Sequence, residues 1–244
     1  MDLIAQASDE IGQPKPKVVS ISPLEITADG SASPDGGAGA AIVRLHSGKE
    51  TLRIKVVAKF SCNQGSAAEL GAIILGVATA RVITELEKIA WPSSITVCAD
   101  NQGILGGLST KTTIANGISE GTGKIAHQGL WHLLSSLGNG AEFIPRYLRS
   151  AGTNRFQNNC DYAARWVLRD GDKLLAKYGE GPIGRNAKQL CADAWVLLDA
   201  SPLHNFSEES KGYEQSETSL LDCLRNLELQ KCIKKIEIQS SGKG

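Results

Sequence analysis

The sequence predicts an α/β fold. A five-stranded mixed sheet, a three-strand antiparallel meander plus two parallel strands, is flanked by helices and followed by a helical C-terminal extension. Three observations lead there. Before residue 61, apolar residues recur at every second position, the spacing of half-buried strands. From about Ser66 the period becomes that of a helix. Further on, short apolar runs alternate with amphipathic stretches, as when later strands arrive through helices.

Residues 1–22 are polar, carry Pro14 and Pro16, and read as a leader or linker. Leu24 to Ala28 alternates apolar and polar, so a first strand ends at Asp29. Ser31 to Gly39 reads as a turn-rich stretch around Pro34-Asp35-Gly36-Gly37. Ala40 to Leu45 is a second strand. Leu52, Ile54, Val56, Ala58 and Phe60, with Arg53, Lys55 and Lys59 between them, form a third, antiparallel to the second across Ser47-Gly48. Leu70, Ile73, Ile74, Val77 and Ala78 place a helix over about Ser66 to Lys88, ended by Trp91-Pro92. Ile95 to Ala99 is a short buried strand, and a short helix follows Asp100. Residues 109–121 are rich in Gly, Ser and Thr and read as a loop. A helix from about Gly123 to Leu137 is closed by Gly138-Asn139-Gly140. Glu142 to Tyr147 is the fifth strand, and a loop with Gly152 leads to a helix over about Asn158 to Lys177.

Beyond Tyr178 the pattern changes. Ala187 to Leu198 reads as helical, Ser201 to Ser216 as loop, and Leu220 to Ile238 as an amphipathic helix with a Lys/Glu-rich face. The chain thus divides into a leader (1–22), a domain (23–178) and an extension (179–244), whose last helix is expected to bind a protein partner or dock on the domain.

At 41% apolar and 21% charged residues over 244 positions, the composition is globular. Formal net charge is zero, from 26 basic and 26 acidic side chains, which argues against a uniformly basic nucleic-acid binder. The distribution argues otherwise. Between Ile144 and Arg169 stand Arg146, Arg149, Arg155, Arg165 and Arg169 with a single acid, Asp161. Such a stretch can hold phosphates, although it also suits a solvated charged face. The cysteines (Cys62, Cys98, Cys160, Cys191, Cys223 and Cys232) form no C-x-x-C pair, and histidines are too sparse to complete a zinc site. This usage fits a reducing, cytoplasmic setting. The N-terminus lacks the basic start and apolar core of a signal peptide. No apolar run reaches the roughly 18 residues of a membrane span, so a soluble protein without membrane contact is expected.

Four acids fall where strands end or helices begin: Asp29, Glu69, Asp100 and Asp161. Strand ends beside helix starts are where ligand sites form in open α/β sheets. If the first and fourth strands are neighbours, Asp29 and Asp100 sit side by side. Close carboxylates repel and take up protons unless a cation neutralises them. Magnesium does so while leaving coordination positions for a phosphate. Each acid alone has a local explanation: turn chemistry for Asp29 before Gly30, the helix dipole for Glu69, a helix cap for Asp100-Asn101, helix-start chemistry for Asp161 near Asn158. Gly179-x-Gly181-x-x-Gly184 matches a dinucleotide-binding pattern, but it follows a helix and contains Pro182. His127 and His132, five apart, share no helix face for a metal.

The ordered segments resemble the ribonuclease H family over about residues 23–178. Asp29-Gly30-Ser31 with Gly39-Ala40-Ala41-Ile42-Val43 resembles the family's first hairpin, and Ala68-Glu69-Leu70 its helix-borne glutamate. Asp100-Asn101-Gln102 resembles its D-S-Q-type strand end, and Asn158-x-Cys160-Asp161-x-Ala163-Ala164-Arg165 its closing helix. The resemblance implies a ribonuclease H-like fold and a metal-dependent endoribonuclease that cleaves the RNA strand of RNA–DNA hybrids without regard to base sequence. Asp29, Glu69, Asp100 and Asp161 would bind two Mg²⁺ ions, with Mn²⁺ able to substitute. Gly30, Ser31, Asn63, Gln64, Ser66, Asn101, Gln102, Arg149, Arg155 and Asn158 would contact the hybrid, whose RNA strand is read through its 2′-hydroxyls.

Three departures accompany the resemblance. Many members carry a His about ten residues before the last aspartate, whereas Ile144 to Asp161 contains none. Arg149 or Arg155 can assist there electrostatically but cannot shuttle protons. The basic protrusion of some members is replaced by a loop whose bases are Lys111 and Lys124. Residues 179–244 match none of the motifs. Two alternatives follow: a nucleic-acid-binding or scaffold subunit of a larger assembly with weak or no cleavage, and a related metal nuclease acting on DNA or on RNA alone.

Overall fold

The computed structural model describes residues 24–47, 50–110, 118–119, 123–124, 126–149, 154–183, 194–201, 213–227 and 229–237. Strand β1 (Leu24–Ser33) turns at Pro34-Asp35 into β2 (Gly36–Ser47), which pairs antiparallel with β3 (Glu50–Phe60). Helix α1 (Gly65–Leu86) leads to β4 (Ser94–Ala99), parallel to β1. After α2 (Gln102–Leu108) come a two-residue pair, β5 (Ile118–Ser119) with β6 (Gly123–Lys124), and α3 (Gln128–Gly138). Strand β7 (Glu142–Tyr147) joins β4 in parallel, and α4 (Arg155–Tyr178) follows. These segments contain the mixed five-stranded sheet that the sequence predicts.

Among its described residues, the C-terminal segment is not purely helical. Strands β8 (Gly181–Ile183), β9 (Trp195–Asp199) and β10 (Lys234–Glu237) enlarge the sheet to eight strands. Its order is β7-β4-β1-β2-β3-β9-β8, with β10 also on β3. Within the stretch expected to be helical up to Leu198, the described residues form a strand; residues 184–193 lie outside those described. Val196, Leu197 and Leu198 are buried on both faces of the sheet, so the run has no alternation that would mark it as a strand. The expected helix over Leu220 to Ile238 is shorter and earlier. Helix α5 (Tyr213–Asn226) gives way to a 3-10 turn (Leu229–Cys232) and then to β10. This segment docks on the rest of the chain. Arg225 pairs with Glu85 at 3.0 Å, Arg81 with Glu217 at 3.0 Å and Lys235 with Glu87 at 2.9 Å.

Other boundaries shift for local reasons. Strand β1 continues past Ala28 through Gly30-Ser31-Ala32-Ser33, in full register with Gly36 to Gly39. Both arms of this hairpin end consist of small residues, which read as turn yet pair readily. Asp29 therefore lies inside the strand, opposite Ala40, rather than at its end. Helix α3 starts at Gln128, not Gly123, because His127 adopts a left-handed backbone conformation (φ 63°). Helix α4 starts at Arg155. Asn154 caps it, its Oδ1 accepting from the backbone N–H of Phe156 (2.9 Å) and Gln157 (3.2 Å). Asn158 and Asp161 are thus inside the helix. Of the expected loop 109–121, residues 111–117 and 120–121 lie outside the described part. Cys62, Cys98, Cys160 and Cys223 are free thiols, Cys232 is buried, and Cys191 falls outside the described residues.

Two apolar layers cover the sheet. Helix α1 packs on one face with α3 and α5 outside it; α4 packs on the other. At 22 residues and mean hydropathy 1.6, α1 is long and apolar enough to cross a membrane, contrary to the expectation from the sequence. Its apolar window is 89% buried inside the protein, so the core already satisfies it. The contact with the sheet is close because the facing positions are glycine. A Cβ at Gly76 would stand 2.5 Å from the Ile26 side chain, and one at Gly39 would stand 2.8 Å from the Ala72 Cβ. Helix α4 instead buries one stripe (Gln157, Cys160, Ala163, Ala164, Val167, Gly171, Leu174) and exposes the rest.

Candidate active site

The parallel pairing of β1 with β4 matches Thr27 to Cys98, and continuing this register brings Asp29 opposite Asp100. Glu69 arrives from the second turn of α1. Its place is set by Gly30, where the β1 backbone touches the helix: an added Cβ would lie 2.2 Å from the Glu69 backbone nitrogen. Asp29, Glu69 and Asp100 each offer a carboxylate oxygen, and these oxygens lie within 4.8 Å of one another. Asp161 comes from α4, which is held to β1 by the Cys160 thiol donating to the Thr27 carbonyl at 3.3 Å. All four acids line one cavity of about 230 Å³, together with Gly30, Ser31, Gln157, Asn158 and Arg165.

The electrostatics follow from this crowding. Asp29 is buried, and burial, then the charges of Asp100 and Asp161, push its carboxyl up to about 7 from an ordinary value of 3.8. The Gly30 N–H and Arg165 oppose that rise. Burial, then Asp29 and Asp100, push Glu69 up to about 8 from 4.5, against a hydrogen bond from Asn101. Near neutral pH the metal-free site therefore retains protons. The donor set consists of carboxylate oxygens, the ligands of hard divalent cations. Asp161 stands apart from the three clustered acids. It forms a 2.7 Å ion pair with Arg165, one helical turn along α4.

The remaining residues expected at the site divide into two groups. Gly30, Ser31 and Asn158 line the cavity. Asn101 hydrogen-bonds Glu69, and its Oδ1 caps α2 by accepting from the Ile104 N–H at 3.1 Å. It orients an acid instead of lining the cavity. Asn63 and Gln64 are exposed just before α1, Gln102 is exposed at the start of α2, and Arg149 and Arg155 are exposed; none of them lines the cavity. Ser66 is engaged with His127 at 2.8 Å, and burial pushes the His127 imidazole below its usual value. Sequence reasoning missed Gln157 as a lining residue. It placed Arg165 in the motif without seeing that Arg165 reaches the cavity. Both sit one turn from Asp161, at i−4 and i+4, a spacing that puts side chains on one helix face.

Neither a protein-family model nor a curated protein matches the sequence. Solved structures with a similar fold include LC9-RNase H1, a type 1 RNase H with the type 2 active-site motif. It is 16% identical, the match covers 61% of this chain and 74% of that one, and the TM-score is 0.47. RNase H1 from the halophilic archaeon Halobacterium salinarum NRC-1 is 14% identical over 61% and 99% of the two chains, with a TM-score of 0.42. LC11-RNase H1, solved in complex with RNA/DNA hybrid, is 14% identical over 59% and 99%, with a TM-score of 0.41. These likenesses are of fold.

Proposed function

We propose that the chain is a metal-dependent endoribonuclease that hydrolyses the RNA strand of RNA–DNA hybrids, independently of base sequence. The supporting observation is the convergence of Asp29, Glu69 and Asp100, carried by three different elements, on one cavity with a fourth acid at its wall. The order of the motifs along the chain agrees with this reading. Carboxylates that hold protons near neutrality for want of a counter-charge, and that offer oxygen alone, fit Mg²⁺ or Mn²⁺. Asp29, Glu69 and Asp100 would hold one ion, and Asp161, released from Arg165, would complete the site for a second. Bound there, a pair of divalent ions supplies an activated water and neutralises the charge that builds during in-line displacement at phosphorus.

The chain's own residues do the rest. Asn101 holds the Glu69 carboxylate in place. Gly30 and Ser31 line the cavity beside Asp29, where the sugar–phosphate backbone would lie. Asn158 and Arg165 face the scissile phosphate, and Arg149 and Arg155, outside the cavity, meet phosphates further along. In place of a loop histidine, Arg165 stabilises the leaving oxygen by charge without exchanging a proton with it. The leaving oxygen takes its proton from solvent water, so the products carry 5′-phosphate and 3′-hydroxyl ends.

A second reading, hybrid binding without cleavage, is favoured by the Asp161–Arg165 pair, which ties up the fourth acid. One assay separates the two. The protein is incubated with labelled hybrid, double-stranded RNA, single-stranded RNA and DNA, each with Mg²⁺, Mn²⁺ or chelator. Metal-dependent cleavage of hybrid alone, lost in Asp29→Asn and Asp100→Asn, supports the nuclease. Binding without cleavage supports the second reading. Absence of both refutes the proposal.

A further inference from the structure

Among the described residues, the Gln157 side chain has no hydrogen-bonding role. It is 2% exposed, and neither its Nε2 nor its Oε1 has a hydrogen-bond partner among the described residues. Buried carboxamides are nearly always satisfied, because an open polar end in the interior destabilises the fold. Gln157 is the third residue of α4, where a glutamine commonly folds back to the N-cap backbone N–H. Here Asn154 caps the helix by itself, and Gln157 turns instead into the wall of the acidic cavity, one turn before Asp161.

We infer that Gln157 reads a ribose 2′-hydroxyl of the RNA strand, donating from Nε2 and accepting at Oε1. This rests on the nuclease reading above and adds a source of RNA selectivity to it. A phosphate oxygen only accepts hydrogen bonds and a cation only takes lone pairs, so either would leave one end of the buried carboxamide open. A hydroxyl satisfies both ends. On the backbone of a hybrid the hydroxyl is the ribose 2′-OH, which the DNA strand lacks.

The test uses the full chain and fluorescence anisotropy with hybrids whose RNA strand carries a single deoxyribonucleotide walked along its length. Ca²⁺ replaces Mg²⁺ as the oxygen-seeking cation. Wild-type protein is expected to lose roughly tenfold in affinity at one position of the walk, the scale of one or two lost hydrogen bonds. Gln157→Leu binds the all-ribose hybrid about tenfold more weakly and is indifferent to the deoxy replacement at that position, the non-additivity of a direct contact. Gln157→Leu and Gln157→Met are both expected to melt at or above the wild-type temperature, because each removes two open polar ends; if Gln157→Leu does not fold, Gln157→Met serves for binding. A variant that keeps the wild-type dependence on every 2′-hydroxyl overturns the assignment, as does lowered melting in both variants. A bound water as the true partner gives the first of these results. Wild-type protein that neither binds nor cleaves hybrid refutes the nuclease reading itself, and this assignment with it.

Discussion

Helices α1 and α4 lie on opposite faces of one sheet and each brings an acid to the cavity, yet they are built differently. Helix α1 is apolar nearly all round and is enclosed by the sheet on one side and by α3 and α5 on the other. Helix α4 buries a single stripe and turns Arg155, Tyr162, Arg165 and Arg169 to solvent. Glu69 therefore sits on an enclosed helix, pressed against Gly30, whereas Asp161 sits on an outer helix and is paired with a largely exposed arginine. The difference separates a fixed trio of carboxylates from a fourth whose partner can be exchanged. An exposed ion pair such as Asp161–Arg165 is weak and open to competition from a cation or a phosphate.

Removing residues 179–244 has the largest expected effect, because it strips α5 from the outer side of α1 and β9 and β10 from β3. The truncated chain is expected to be insoluble or to lack a cooperative melt by circular dichroism; an unchanged melting curve and activity would show that the C-terminal strands are dispensable. Next in size, Asp29→Asn or Asp100→Asn is expected to reduce hybrid cleavage by about a thousandfold or more, while Asp161→Asn on the outer helix costs about ten- to a hundredfold, measured as kcat/KM. Equal losses at all four acids would erase the distinction between fixed and exchangeable ligands.

Packing sharpens the same contrast. Ile74 of α1 is fully buried, and Ile74→Ala is expected to cost about 2–5 kcal/mol in urea unfolding. Arg169→Ala on α4 should stay within about 0.5 kcal/mol. The smallest effect is a pH slope. In the unfolded chain Asp29 and Glu69 ionise near 3.8 and 4.5, but in the folded, metal-free protein they hold protons to about 7 and about 8. The folded state therefore binds more protons across that window, and stability falls as pH rises through it. The melting temperature in chelator is expected to decline from pH 5 to pH 8, and saturating Mg²⁺ should flatten the slope. A flat profile in chelator would mean that the two carboxyls are not crowded.

Much of the fold can be read from the sequence where periodicity is strong. The alternation in β3 and the helical spacing of α1 and α4 all reappear, with ends shifted by a few residues. The failures have physical causes. Trp195 to Asp199 carries no alternation because both faces of β9 are buried, and four-residue β10 is too short to show a period. The hairpin end of β1 is made of small residues that are neutral between turn and strand. At the site, the four acids announce themselves through residue type and order, and their shared cavity follows from β1 lying beside β4 with α1 and α4 packed on opposite faces. Gln157 fell outside the helix expected from about Asn158, so its i−4 spacing from Asp161 marks a shared face only once the helix is known to start at Arg155.

The far side of β3 is shared end to end: β10 pairs with Glu50 to Arg53, and β9 with Lys55 to Lys59. Among the described residues, three-residue β8, which contains Pro182, lies beyond them; at the opposite margin β7 contains Pro145. Proline removes a backbone donor, and short strands offer little for a newcomer to copy. Among the described residues, the C-terminal segment thus both extends the sheet and forms one of its two proline-bearing margins.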